Sequence, residues 1–237
     1  MIGFMNPKYF RTRALVLALT LMGWTGSGSS QMDDNSDWWS LLREVGPGAC
    51  STLSKKKPDG ANFVIAGVNL RRADPIRDVE EKIEKTSEIM TRGDASTGRT
   101  QICFKSASEK GRFKLIFEQG EIPSVAYMID GGPDWPQSYK CVVSQKISET
   151  LATASGLHLG MTAAEVEKIL GKPCIESNDS IEYAFDYKYM LTSDERRRLK
   201  GKGSFEVDEP IDWFGTMQIK FRGAKACYIA ILSGETQ

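Results

Sequence analysis

A chain of 237 residues with 41% hydrophobic and 26% charged residues has the balance of an ordinary globular protein, enough for one or two small domains. That composition excludes a collagen, a mainly disordered tail and a polytopic membrane protein. Lys plus Arg equals Asp plus Glu at 31 each, so no global basic field exists to hold nucleic acid through its phosphates. His158 is the one histidine, which deprives most hydrolase and metalloenzyme designs of their usual base or ligand. No catalytic, cofactor-binding or metal-ligating residue is assigned.

Lys8, Arg11 and Arg13 precede the apolar run Ala14 to Trp24, and the small, polar stretch Thr25 to Ser30 follows, which is the layout of a secretory signal peptide over residues 1–30. The apolar run has 11 residues. A membrane-crossing helix needs roughly 20, so no transmembrane segment is expected in the mature chain. The first cysteine is Cys50, well beyond the apolar run, so a lipid anchor is not expected either. The expected location is exported, periplasmic or extracellular.

Residues 31–62 are expected to form an N-terminal helix and a loop. Ser36 to Val45 reads as a short capped helix with Trp38, Leu41, Leu42 and Val45 on one stripe, ended by Gly46-Pro47-Gly48. Lys55 to Lys57 with Pro58-Asp59-Gly60 then reads as a solvated loop.

From there one order of elements occurs twice. Gly67-Val68-Asn69-Leu70 leads to a helix over 78–83, a strand over 100–104 and a hairpin over 113–129. Gly156-Leu157-His158-Leu159 leads to a helix over 165–170, a strand over 181–190 and a hairpin over 216–232. Gly120 and Gly223 mark the hairpin turns. The repetition argues for duplicated modules at 63–132 and 156–237, joined by a connection over 133–155. The expected fold is α+β, with two tandem modules, each a short helical layer packed on a small three-stranded antiparallel sheet.

In the strand over 181–190, Tyr183, Phe185, Tyr187 and Tyr189 alternate with Glu182, Ala184, Asp186 and Lys188, so four aromatics share one face. Two readings stay open: a core face beneath the helix, or an exposed strip that binds a partner or a glycan. Thr192 and Glu195 have the spacing of a capping box for a short helix ahead of the acidic stretch Glu206 to Asp212. Gly201-Lys202-Gly203-Ser204 lacks the first glycine of a phosphate loop and reads as a turn.

Five cysteines, at 50, 103, 141, 174 and 227, allow at most two internal bridges, and no spacing among them resembles a zinc or redox motif. Spacing does not choose the connectivity. Cys103 with Cys141 is the first expectation, and Cys174 with Cys227 the second.

The stretch GLHLGMTAAEVEKILGKP, residues 156–173, followed by three strands, resembles the signature of the BamE (SmpA/OmlA) outer-membrane assembly lipoproteins and of exported proteins sharing that module. Thr162 and Glu165 form its capping box, Val166, Ile169 and Leu170 its buried stripe, and Gly171-Lys172-Pro173 its stop. The likeness covers 156–232 and extends weakly to 67–129, where Arg71-Arg72 replaces Gly160-Met161. In tandem, the arrangement is similar to that of the beta-lactamase inhibitory protein. The resemblance implies a non-catalytic role in the cell envelope, binding a protein partner through sheet faces. A secreted enzyme inhibitor is the alternative, and a small hydrolase or glycan-binding protein the third.

Overall fold

The computed structural model describes residues 50, 54, 59–71, 75–92, 99–108, 112–120, 124–131, 140–190, 192–193, 196–197 and 210–235. The expected signal peptide over 1–30 and the expected helix over 36–45 lie outside them.

Two helices of eight residues are present among the described residues: α1 (Pro75–Lys82) and α2 (Ala163–Leu170). A 3-10 turn (Gly60–Phe63) leads into the small hairpin β1 (Val64–Ile65) and β2 (Val68–Asn69). The remaining strands are β3 (Ile89–Arg92), β4 (Arg99–Ser106), β5 (Phe113–Gln119), β6 (Ser124–Asp130), β7 (Val142–Ser144), β8 (Ile175–Glu176), β9 (Ser180–Tyr189), β10 (Ile211–Arg222) and β11 (Lys225–Glu235). These nine form one sheet in the order β3-β4-β5-β6-β11-β10-β9-β8, and β7 runs parallel to β4 on its outer edge.

This overturns the expected pair of separate helix-on-three-strand modules. The chain is mostly β, and the two sets of strands fuse where β6 pairs with β11, Tyr228 opposite Ile129 through Ser233 opposite Ser124. The physical reason lies in those two strands. Val125 to Ile129 and Tyr228 to Leu232 are buried without interruption, so both strands need cover on both faces and a neighbour on each side. Pairing with each other supplies the missing neighbour and makes them the centre of the sheet. The halves are also stitched at the loops, where Ile65 bridges Thr153 and Ala154 N–H donates to Val64 O at 2.8 Å.

One face of the sheet carries the main core. Ile102, Phe104, Leu115, Phe117, Ala126, Met128, Met217, Ile219, Ile229 and Ile231 point to this side and meet Val79 and Ile83 at α1 and Val166 and Leu170 on α2. Helix α2 follows from its sequence. Thr162 Oγ1 accepts from Glu165 N–H at 3.3 Å, and Glu165 Oε2 accepts from Thr162 N–H at 2.7 Å, a reciprocal cap that satisfies two otherwise orphaned donors. Gly171 ends the helix at φ +84°, a left-handed conformation that favours glycine. In the β10–β11 hairpin, Gly223 and Ala224 both have positive φ, the twist that a two-residue hairpin requires.

Thr162→Ala should cost about 1 kcal/mol, read as a lower denaturation midpoint. The same cap gives a pH signature. Hydrogen bonds from the Thr162 backbone and then its hydroxyl hold the Glu165 carboxyl below its ordinary value. A carboxyl depressed on folding stabilises above its unfolded pKa, and that contribution fades as pH falls through the folded one. The Tm difference between the parent and Glu165→Gln should therefore shrink on acidification through the carboxylate range. A difference constant from pH 7 to pH 3 would contradict the cap.

Candidate functional site

The sheet has a second face, turned away from the helices, and its composition differs from the core. By strand alternation and register it carries Arg99, Gln101 and Cys103 from β4, Lys114, Ile116 and Glu118 from β5, and Val125, Tyr127 and Ile129 from β6. Beside them lie Tyr228, Ala230 and Leu232 from β11, Phe214, Thr216, Gln218 and Lys220 from β10, and Glu182, Asp186 and Lys188 from β9. One row crosses it in register: Cys103, Ile116, Tyr127, Ala230, Gln218, Glu182.

At the centre the rings of Tyr127 and Tyr228 lie 6.3 Å apart at 45°, and Lys220 Nζ stands 5.4 Å from the Tyr228 ring centroid, a cation–π distance. A carboxamide–carboxylate pair flanks the tyrosines on each side. Gln101 Nε2 donates to Glu118 Oε2 at 2.5 Å, and Arg99 Nη1 reaches Glu118 Oε1 at 2.7 Å. On the other side, Gln218 Nε2 donates to Glu182 Oε1 at 3.0 Å. Glu118 is 2% exposed, and Gln101 and Arg99 supply hydrogen-bond donors to both of its carboxylate oxygens. Burial pushes the Lys114 ammonium below its usual value, Lys105 adds to that, and Asp130 opposes it. Gln218 is 7% exposed, and its Oε1, like Thr216 Oγ1, makes no hydrogen bond among the described residues. The rim is open and charged: Asp186 is exposed, and Lys188 Nζ meets Asp212 Oδ1 at 3.5 Å with both side chains in solvent.

Disulfides stand at both ends of the row. Cys103 is bonded to Cys141. Cys174, whose N–H donates to Glu182 O, is bonded to Cys50, which corrects the expected partner Cys227. The reason is placement. Ser54, four residues after Cys50, donates its N–H to Ala184 O on β9 at 2.8 Å, and Cys174 donates its N–H to Glu182 O on the same strand, while Cys227 sits on β11 in the middle of the sheet. These bonds mark a chain that matures in an oxidising, exported environment, and no helix among the described residues is long and apolar enough to cross a membrane.

The aromatic strip divides. Tyr183 and Phe185 face the helix layer, 1% and 2% exposed, stacked on each other with centroids 6.0 Å apart, so the partner-facing alternative is set aside for these two. Phe63 meets Phe185 edge-on, and Tyr183 OH donates to Gly171 O at 3.1 Å. Burial pushes the Tyr183 phenol well up, with Glu167 and Glu176 adding to it. Tyr187 pairs with Trp213 and Tyr189 with Ile211 along β10, and the side chains of both tyrosines lie outside the described set. His158 Nδ1 donates to Leu159 O at 2.6 Å, and its backbone bridges Ala152, a structural position in a loop.

A cleft of about 350 Å³ opens at one end of the sheet, lined by Arg112, Asp130, Glu149, Arg222, Lys225 and Cys227 among others. Arg112 closes part of it through a two-point pair with Asp130, at 3.0 and 3.1 Å. Cys227 is a free thiol donating to Lys220 O at 3.6 Å, and burial is the main cause that pushes its pKa up. A raised pKa leaves less thiolate, so the folded chain should react with a maleimide at pH 8 more slowly than the urea-unfolded chain. Equal rates would count against this environment.

Sequence reasoning placed Glu182, Asp186 and Lys188 opposite the aromatics but did not assemble the second face. Its residues are scattered over six strands, and only the register brings them together; the available signal was the alternation of Gln101-Cys103 and Thr216-Gln218-Lys220 with apolar neighbours.

No family model, curated protein or solved structure matches this chain. The BamE-like resemblance therefore rests on the residues 156–173 that carry it.

Proposed function

We propose that this chain is an exported, non-catalytic binding protein of the cell envelope, its leader removed after export, which recognises a protein partner through the second face of its sheet. The observation that supports the reading most is the chemistry of that face. Tyrosines sit at its centre with polar groups on either side and a charged rim around them, the anatomy of a protein-binding patch. Gln218 Oε1 and Thr216 Oγ1 add buried polar atoms that donors and acceptors of a partner would satisfy. The BamE-like motif supports a scaffold or assembly role, and the tandem likeness keeps enzyme inhibition as the form the same binding would take if the partner is a soluble enzyme.

The test is photocrosslinking in the native envelope from Asp186, on the exposed rim of the face, with Ala164 on the exposed side of α2 as control. One protein adduct from position 186 and none from 164 is the expected result. Adducts of the same kind from both positions, or none from 186, would remove the second face as the binding surface.

A further inference from the structure

The neighbour of β11 changes along its length. From Tyr228 onward β11 lies beside β6, but before that Ala226 N–H donates to Met161 O at 2.8 Å and Ala226 O accepts from Gly160 N–H at 2.7 Å, so the loop ahead of α2 takes the place of β6. The cleft of about 350 Å³ opens at this junction, between that loop, the ends of β5 and β6 and the β10–β11 hairpin. Clefts that take small ligands measure about 300–1,000 Å³, so this one suits a ligand at the small end. A β-bulge lies in its wall. Lys220 faces Tyr228 and Phe221 faces Ala226, which leaves Cys227 as the extra residue, and bulges of this kind re-aim the side chains beside them.

Two cations stand together on the hairpin. Arg222 and Lys225 are exposed and directly opposite each other in register, an arrangement in which like charges repel. Among the described residues neither forms an ion pair. The other charges of the cleft are differently placed. Asp130 engages Arg112 at two points, and Glu149 is exposed. Lys225 acts at longer range on Glu165, whose carboxylate the Thr162 donors already hold. Arg112, Arg222 and Lys225 against Asp130 and Glu149 leave one positive charge on the lining, and Cys227 adds no negative one, because burial raises its pKa.

We propose that this cleft binds a small organic monoanion, a carboxylate with an apolar body, held with its carboxylate between Arg222 and Lys225 and its body against Leu159 and Ala226. An anion there removes the repulsion between the paired cations, and the planar guanidinium fork of Arg222 matches a carboxylate in shape as well as charge. A second negative charge on the ligand would meet Glu149 with no further cation to offset it, which selects a carboxylate over a phosphate group. The site does not depend on the partner-binding role of the second face.

The test uses the full exported chain, with benzoate as the probe and benzamide as its uncharged counterpart. Two readouts are followed: maleimide alkylation of Cys227, the free thiol in the wall of the cleft, and backbone amide chemical shifts. Benzoate should slow the alkylation several-fold in a saturable way and shift the amides of Gly160 and residues 222–227, and benzamide at the same concentration should do neither. Arg222→Gln and Lys225→Gln, each at an exposed position, should weaken benzoate binding about tenfold in the shift titration, the loss of one charge-assisted hydrogen bond. Each variant also removes the like-charge pair, so its ligand-free Tm should equal or exceed that of the parent, which a variant that merely folds badly would not show. Equal effects of benzamide, no saturable effect of benzoate, or unchanged benzoate affinity in both variants would overturn the site. Tighter binding of inorganic phosphate than of benzoate, or a Tm well below that of the parent in both variants, would overturn it as well.

Discussion

Replacing Cys50 and Cys174 together by serine is expected to lower the unfolding free energy by about 5 kcal/mol. The bond closes 124 residues of sequence, and the cost of ordering an open chain grows with the logarithm of the loop it no longer closes. The Cys103–Cys141 bond closes 38 residues, so its removal should cost about 4 kcal/mol. Domains are stable by roughly 5–15 kcal/mol in all, so either loss consumes a large share of the margin. Urea unfolding of both serine pairs, in a Cys227→Ser background so that no thiol can reshuffle the remaining bond, gives the comparison. The midpoint should be lowest for the Cys50/Cys174 pair, and the reverse order would show that native contacts outweigh chain entropy here.

Val166→Asp should cost on the order of 3 kcal/mol or more. Val166 is fully buried on α2, between the capped first turn and Leu170, and faces the core side of the sheet. A carboxylate there loses its hydration and gains no cation in return, while the methyl groups it replaces leave their contacts unfilled. Thermal melting should show a Tm drop of many degrees, and far-UV circular dichroism should keep most of the β signal below that temperature. An unchanged Tm would mean that α2 does not pack on the sheet. Ala164→Asp, on the exposed side of the same helix, is the matched control and should change stability little.

Much of the local structure was legible in the residues because its causes are local. The capping box of Thr162 and Glu165, the stop at Gly171 and the buried stripe of Val166 and Leu170 all depend on neighbours within one or two turns. The hairpins over β5–β6 and β10–β11 follow from alternation and a short turn, with Gly223 and Ala224 in the conformation that turn needs. Arg196 N–H donates to Thr192 O at 2.9 Å, the helical bond that the Thr192-Glu195 spacing anticipates.

What no local rule contains is which strand lies beside which. Alternation assigns a residue to a face, yet the partner of β6 is β11, about a hundred positions away, and that contact turned two expected sheets into one. The same long-range choice decided that Cys174 meets Cys50 rather than Cys227. It also put Tyr183 and Phe185 under the helices, and set Tyr127 beside Tyr228 between two carboxamide–carboxylate pairs. By itself the sequence determined the turns, caps and strand faces of this protein, because each is settled by forces acting over a few residues. Strand neighbours, disulfide partners and the candidate binding face were decided by the tertiary structure alone, because burying both faces of β6 and β11 is a condition on the whole sheet.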